Sequence, residues 1–244
     1  MDKLKKILVG ESKNLKVLDI GTGVGSFIEV LQESLPGYIS IIGIDTKKEV
    51  LNKAAEKYKD KRIKFMHMDG EKIEFKNNSI DVISISNTLH HLPNKEKILC
   101  EIKRVLKPKG IIIINEMISD NQSEKQLSHV KLHHLQAEID TLLGIYHNRT
   151  FTEHELVNIV ASLNLENVDM FQYNTHEEQE KSENLEDEKG ILDQCFQAVE
   201  SKIEKISNVM LHEMYLEVLE NLRSKLYNIG FFTATELIIV CRKI

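Results

Sequence analysis

The sequence has no excess of positive charge, few cysteines and no long apolar run, and each shortage closes off a class of function. Its 32 Lys and Arg against 38 Asp and Glu leave a net charge of −6 and a pI near 6.0, which argues against a nucleic acid as main partner. Cys100, Cys195 and Cys241 are odd in number and widely separated. They offer neither a disulfide framework nor a CxxC metal clip, and suit a reducing, cytoplasmic compartment. No apolar run approaches the roughly 18 residues of a spanning helix, and the charged start at residues 1–6 lacks a signal-peptide core, so neither membrane spanning nor secretion is expected. What is present, 41% hydrophobic content over 244 residues, suffices for one domain covering 1–244.

Short apolar runs alternate with amphipathic stretches from residue 16 to about 117, the pattern of repeated βα units on a parallel sheet. It predicts strands at 16–20, 40–44, 63–68, 80–86 and 110–116, with helices at 24–35, 47–58 and 94–106. Pro108-Lys109-Gly110 breaks the last helix before the isoleucine run. Residues 122–147 read as helical and histidine-rich. Thr152 and Glu155 form a capping box for a helix reaching about Leu163, and further strands follow at 167–174 and 236–241. The expectation is an α/β fold with a doubly wound, mostly parallel seven-stranded sheet, an acceptor-site insert at 118–150 and a helical insertion at 176–230. That insertion opens on the acidic stretch 176–189. It continues into two amphipathic segments, one carrying Ile191, Leu192, Cys195, Phe196, Val199, Ile203 and Ile206, the other Met210, Met214, Val218, Leu219, Leu222 and Leu226. An antiparallel helical pair is the simplest reading, either packed on the sheet or serving as a lid or homodimer contact.

The chemistry is concentrated where strands end. Val17 to Ile20 runs into Gly21-Thr22-Gly23-Val24-Gly25, a strand followed by a glycine loop and then a helix with Phe27, Ile28, Leu31 and Leu35 on one face. Glycine loops serve several nucleotide-like ligands. Here Asp19 lies just ahead of the loop, where it disfavours a pyrophosphate and suits a cationic ligand group. The third glycine at 25 also departs from the GxGxxG dinucleotide spacing, although Ser26 is small enough to leave an NAD-type oxidoreductase open. Asp45 closes a second apolar run at a position suited to a ribose diol, and Asp69, before Gly70, closes a third where a carboxylate can meet an adenine amino group. A single strand-end aspartate is usually a cap or turn residue. Three together match an amine, a diol and an exocyclic amine.

These motifs resemble the class I S-adenosylmethionine-dependent methyltransferases of the small-molecule branch. Residues 17–25 resemble the family's first motif, Ile44-Asp45 its second and Met68-Asp69-Gly70 its adenine-side motif. Residues 75–83 leading to Asn87-Thr88-Leu89-His90-His91-Leu92 resemble the fourth-strand signature, and 101–110 the helix and turn before strand five. The resemblance covers 16 to about 117 and, more loosely, the last strand. It implies a Rossmann-like methyltransferase fold and S-adenosylmethionine as cofactor. It further implies that Asp19 and the loop Gly21, Thr22, Gly23 and Gly25 hold the methionine moiety, Asp45 the ribose, Asp69 and Gly70 the adenine, that Asn87 lies beside the sulfonium, and that Thr46 is a further cofactor-binding residue. The reaction implied is in-line methyl transfer to a small-molecule acceptor.

If the acceptor must lose a proton, the base candidates are His90, His91, His133, His134 and His147, with His91, His134 and His147 the first choices. Each could instead only pack or cap. Tyr146 and Phe151 are candidates to enclose an apolar acceptor. His129 and His133, four apart on a helix, share a face in a spacing that can bind a metal, but no third ligand is fixed by spacing, and no metal is expected. Two rivals remain beside the oxidoreductase: a non-catalytic S-adenosylmethionine-binding protein of regulation or assembly, and a macromolecular methyltransferase. The second is weakened by the acidic balance and by Asn87-Thr88-Leu89-His90 standing where many amino-group methyltransferases carry an Asn-Pro-Pro-Tyr-like sequence.

Overall fold

A computed structural model describes residues 2–11, 13–174 and 185–244, apart from the side chains of 185–188. Most of the acidic stretch 176–189 therefore lies outside the described residues. Seven strands, β1 (Leu15–Ile20), β2 (Tyr38–Asp45), β3 (Ile63–His67), β4 (Ile80–Ser86), β5 (Leu106–Met117), β6 (Glu166–Tyr173) and β7 (Glu236–Arg242), form one sheet in the order β3-β2-β1-β4-β5-β7-β6. The first five pair in parallel, and β7 runs antiparallel to both β5 and β6. This is the doubly wound, mostly parallel sheet the alternation predicts.

Strand alternation divides the core in two. Leu18, Ile20, Ile83, Ile85, Ile112 and Ile114 face one layer, with α4 (Lys95–Val105) and α6 (Glu153–Ala161) packed on it. Val17, Val82, Ile111, Ile113, Ile238 and Val240 face the other, covered by α1 (Asp2–Leu8) and α2 (Ser26–Ser34). Both faces are apolar because both are covered, which is why these strands read as continuous apolar runs. The order changes direction at β1 and β4, so the crevice between their carboxyl ends is where a ligand enters such a sheet.

Strand β5 starts earlier than the isoleucine run suggests. Leu106 pairs with Ile80 and Ile111 with Val82, so residues 107–110 bulge out of the ladder and Lys109 takes φ 63°. Pro108 is tolerated because the bulge asks no ladder hydrogen bond of it.

The histidine-rich region forms α5 (Glu124–Leu142), opened by a capping box of Ser123 and Gln126, while α3 (Lys48–Lys57) matches its prediction closely. The two late segments are helices α7 (Leu185–Ile203) and α8 (Val209–Ile229). They pack chiefly on α5, through Leu132, Leu135 and Ile139 against Leu192, Phe196, Val199, Ile203, Tyr215, Leu219 and Leu226. Packing on the sheet, the first alternative, is replaced by a helical layer with its own core. On α8 the predicted apolar face is only half right: Leu219 and Leu226 are buried, but Met210, Met214 and Val218 are exposed.

Phe196 is fully buried at the centre of that layer. Phe196→Ala is expected to cost about 3–5 kcal/mol of stability, measured by chemical denaturation; a cost under about 1 kcal/mol would mean that α7 contributes little to the folded core.

Candidate functional site

Two cavities meet above the carboxyl edge of the sheet. The first, of about 430 Å³, is lined by Gly21, Asp45, Thr46, Asp69 and Gly70 from the ends of β1, β2 and β3, and is roofed in part by Tyr146 and Lys202. The second, of about 290 Å³, is bounded by Asn87, Met117, His129, His133, Tyr173 and Glu236. His91 borders both.

The glycine loop shapes the first cavity by backbone. Gly21, at φ 67°, lies so close to Thr88 that a Cβ would sit 2.3 Å from its methyl group, so only glycine fits between β1 and the β4 turn. Asp45 accepts from the Gly23 N–H at 3.0 Å through Oδ2 and from the Lys47 N–H at 2.9 Å through Oδ1. It thereby ties the loop to β2 while its carboxylate faces the cavity. Gly23 and Gly25 serve the loop itself. Gly25, at φ 84°, precedes α2, and a Cβ there would meet the Tyr58 ring at 2.7 Å.

Asp19 and Thr22 do not line the cavity wall but lie buried beneath it. Ser84 donates to Asp19 Oδ1 at 2.7 Å, whereas Asp19 Oδ2 and Thr22 Oγ1 have no hydrogen-bond partner. Burial pushes the Asp19 carboxyl up to about 6; the Ser84 hydroxyl opposes the shift, and the charge of Asp45 adds to it. Asn87, at φ 44°, belongs to the second cavity. It donates to Glu236 Oε1 at 2.6 Å and accepts from the Met117 N–H at 2.9 Å, holding β4, β5 and β7 together at their ends.

Glu116 was missed by the sequence reading, though it closes β5 as Asp19, Asp45 and Asp69 close other apolar runs, so the same rule could have found it. It is fully buried. Its Oε1 accepts from the Thr88 and Leu89 N–H groups at 2.7 and 2.6 Å, and its Oε2 contacts His90 Nδ1 at 2.7 Å. His147 Nδ1 meets Asp140 Oδ2 at 2.7 Å, and Lys202 Nζ reaches the same oxygen at 2.5 Å. Between these two anchored imidazoles stands His133, whose Nε2 lies 3.2 Å from His90 Nε2 and 3.1 Å from His147 Nε2.

The histidine candidates thus separate. Burial, then the neighbouring His90 and His147, pushes both His91 and His133 down to about 2, which makes His91 neutral and a poor proton acceptor. His147 is lowered by burial against the pull of Asp140. His134 does not join the others: it contacts Thr150 Oγ1 at 2.9 Å and lines a separate recess with Arg149 and Lys225. His129 accepts the Ala234 N–H at 3.0 Å, so the predicted His129–His133 pair is divided between a backbone contact and the cluster.

Residues 18–114 match the family model for a methyltransferase domain. A ubiquinone/menaquinone biosynthesis C-methyltransferase of Campylobacter jejuni is 33% identical over 108 residues, 43% of this chain and 45% of that protein. A sterol 4-C-methyltransferase of Caenorhabditis elegans is 32% identical over 128 residues, 51% of this chain and 38% of that protein. The chain thus spans less than half the length of these relatives. Over nearly the whole chain the fold is similar to that of an S-adenosylmethionine-dependent methyltransferase from Mesorhizobium loti, with TM-score 0.60, 14% identity and coverage of 99% and 96% of the two chains.

Because folding raises the Asp19 pKa from 3.8 to about 6, the folded chain holds this proton more tightly than the unfolded one. The group is therefore neutral to stability below about pH 4 and increasingly unfavourable as pH rises to about 6, by up to about 3 kcal/mol. Asp19→Asn is expected to match the parent near pH 4 and exceed its stability at about pH 7 in urea denaturation; parallel pH profiles would show that Asp19 is not desolvated.

Proposed function

We propose that this chain, whose residues 18–114 match the family model for a methyltransferase domain, transfers a methyl group from S-adenosylmethionine to a small-molecule acceptor. The observation that carries the reading is the convergence of Gly21, Asp45, Asp69 and Gly70 on one cavity that opens at His91 into a second. Its volume of about 430 Å³ lies within the roughly 300–1,000 Å³ of small-molecule sites. Asp19, buried beneath the loop with Oδ2 unpartnered, favours positive charge in the cavity above it without lining that cavity. Bound there, the cofactor supplies an activated methyl on a cationic sulfonium.

The chain's own residues position and desolvate. Asp45, held by two backbone N–H groups, presents a fixed carboxylate to a ribose diol, and Asp69 and Gly70 offer the adenine side. Gly21 lets the backbone approach the ligand, while Thr88 behind it fixes the depth of the cleft. In the second cavity Met117 and Tyr173 supply apolar wall and Asn87 and Glu236 polar contacts for an acceptor. That two relatives are named for quinone and sterol C-methylation supports an acceptor of this small-molecule kind. Among the described residues no helix is long and apolar enough to cross a membrane, and we place the protein in the cytoplasm. A homodimer would use the exposed Val209, Met210 and Met214 of α8.

Calorimetry is expected to show saturable binding of S-adenosylmethionine and its demethylated product, and none of NAD. Asp45→Ala should weaken binding about 10- to 100-fold, the value of a charged hydrogen-bonding group. Binding of NAD in place of S-adenosylmethionine would overturn the reading. A labelled-methyl screen with no turnover on quinol, phenol, enol or amine acceptors would leave a cofactor-binding protein without transferase activity.

A further inference from the structure

We propose that His90, His133 and His147 form a binding site for a divalent transition-metal cation of the zinc class, set in the wall of the acceptor cavity. The three imidazoles come from separate parts of the chain: the turn after β4, the middle of α5, and the segment following α5. Their candidate ligand nitrogens nevertheless converge within 4.8 Å of one another. The two Nε2–Nε2 separations, 3.2 and 3.1 Å, are close to the edge of a tetrahedron whose centre lies about 2.0–2.1 Å from each nitrogen, an edge of about 3.3 Å.

Proton counting favours a cation at that point. His90 and His147 each direct Nδ1 to a buried carboxylate, Glu116 and Asp140 respectively, at 2.7 Å. As neutral imidazoles donating from Nδ1, both turn an Nε2 lone pair toward His133. A single N–H on His133 Nε2 can make one good hydrogen bond, not two. If His90 and His147 were instead protonated on both nitrogens, two N–H groups would compete for the one lone pair of His133. No proton arrangement completes both contacts, whereas one cation accepts all three lone pairs.

The surroundings fit the same reading. A carboxylate on the far nitrogen of a ligating histidine fixes its tautomer and raises its basicity, and two of the three histidines have one. The buried carboxylate of Glu116 offsets part of a dication's charge, while that of Asp140 is shared with Lys202. Three nitrogen donors suit zinc, iron, copper or nickel, not the oxygen-seeking magnesium or calcium. His90 and His133 also line the second cavity. Three protein ligands leave a fourth position for an exogenous group, as in catalytic zinc sites.

The role of the cation rests on the methyl-transfer reading; its binding does not. A hydroxyl or enol oxygen coordinated at the fourth position releases its proton to water more readily. The resulting oxygen anion, or the carbon conjugated with it, then forms a bond to the methyl as the sulfur–methyl bond breaks and its electron pair returns to sulfur.

The test uses the full chain without a polyhistidine tag, stripped with a chelator and titrated with Zn²⁺ by calorimetry and with Co²⁺ by visible absorption. The expected result is one cation per chain, a four- or five-coordinate Co²⁺ spectrum and a raised Tm. His133→Ala should weaken binding by about 100-fold or more, and Glu116→Gln by about 10- to 100-fold; circular dichroism confirms that each variant folds. If either variant fails to fold, His147→Asn takes its place. The proposal is overturned by absence of stoichiometric uptake in the parent, or by folded variants that bind as tightly as the parent. Binding of the demethylated cofactor is measured on the same samples: cation uptake without it sinks the methyl-transfer reading alone, and the reverse result sinks the cation site alone.

Discussion

The carboxylate of Glu116 is the contact on which the rest of the site depends. Buried at the end of β5, it accepts two backbone N–H groups from the turn after β4 and orients His90 with its other oxygen. A desolvated carboxylate is costly unless such bonds surround it. The turn and the strand end are therefore held together: if the turn moves, the charge is stranded. Through that turn the constraint reaches both cavities, since Thr88 abuts Gly21 at the first and His90 and His91 line the second.

A second constraint comes from the helical layer. Helix α5 crosses above the carboxyl edge carrying His133 and Asp140, and α7 brings Lys202 to Asp140. The core of Phe196, Leu219 and Ile139 holds these helices together, so a packing interaction distant from the chemistry sets the position of two of the three convergent histidines. The doubly wound sheet supplies a rigid edge, and the layer above supplies the opposite wall. The second cavity can then be reshaped by changing the layer without changing the edge.

Much of this was legible in the chain because it is local. The period-two and helical patterns placed the seven strands to within a few residues, since burial on both faces makes each strand an apolar run. The acids Asp45 and Asp69 could be assigned to a cavity because strand ends in such a sheet share one edge. Asp19 was found by the same rule, but its depth was not: whether a strand-end acid reaches the surface depends on what lies over it, here the loop 21–25. His134 and His147 looked equivalent in a histidine-rich stretch, yet a single residue step along α5 sends His134 to a different recess while its neighbour His133, and Asp140, face inward.

The sequence by itself determined the sheet, its glycine loop and the acids along its edge, because each follows from residues close in the chain or from a repeating pattern. Only the tertiary structure decided that His90, His133 and His147 meet and that Glu116 and Asp140 stand behind two of them. It also decided that α7 and α8 cover α5 instead of the sheet. Those contacts join residues 7 to 77 positions apart, and no spacing rule encodes which imidazole nitrogens face one point when the geometry is set by how a helix lies across the end of a sheet.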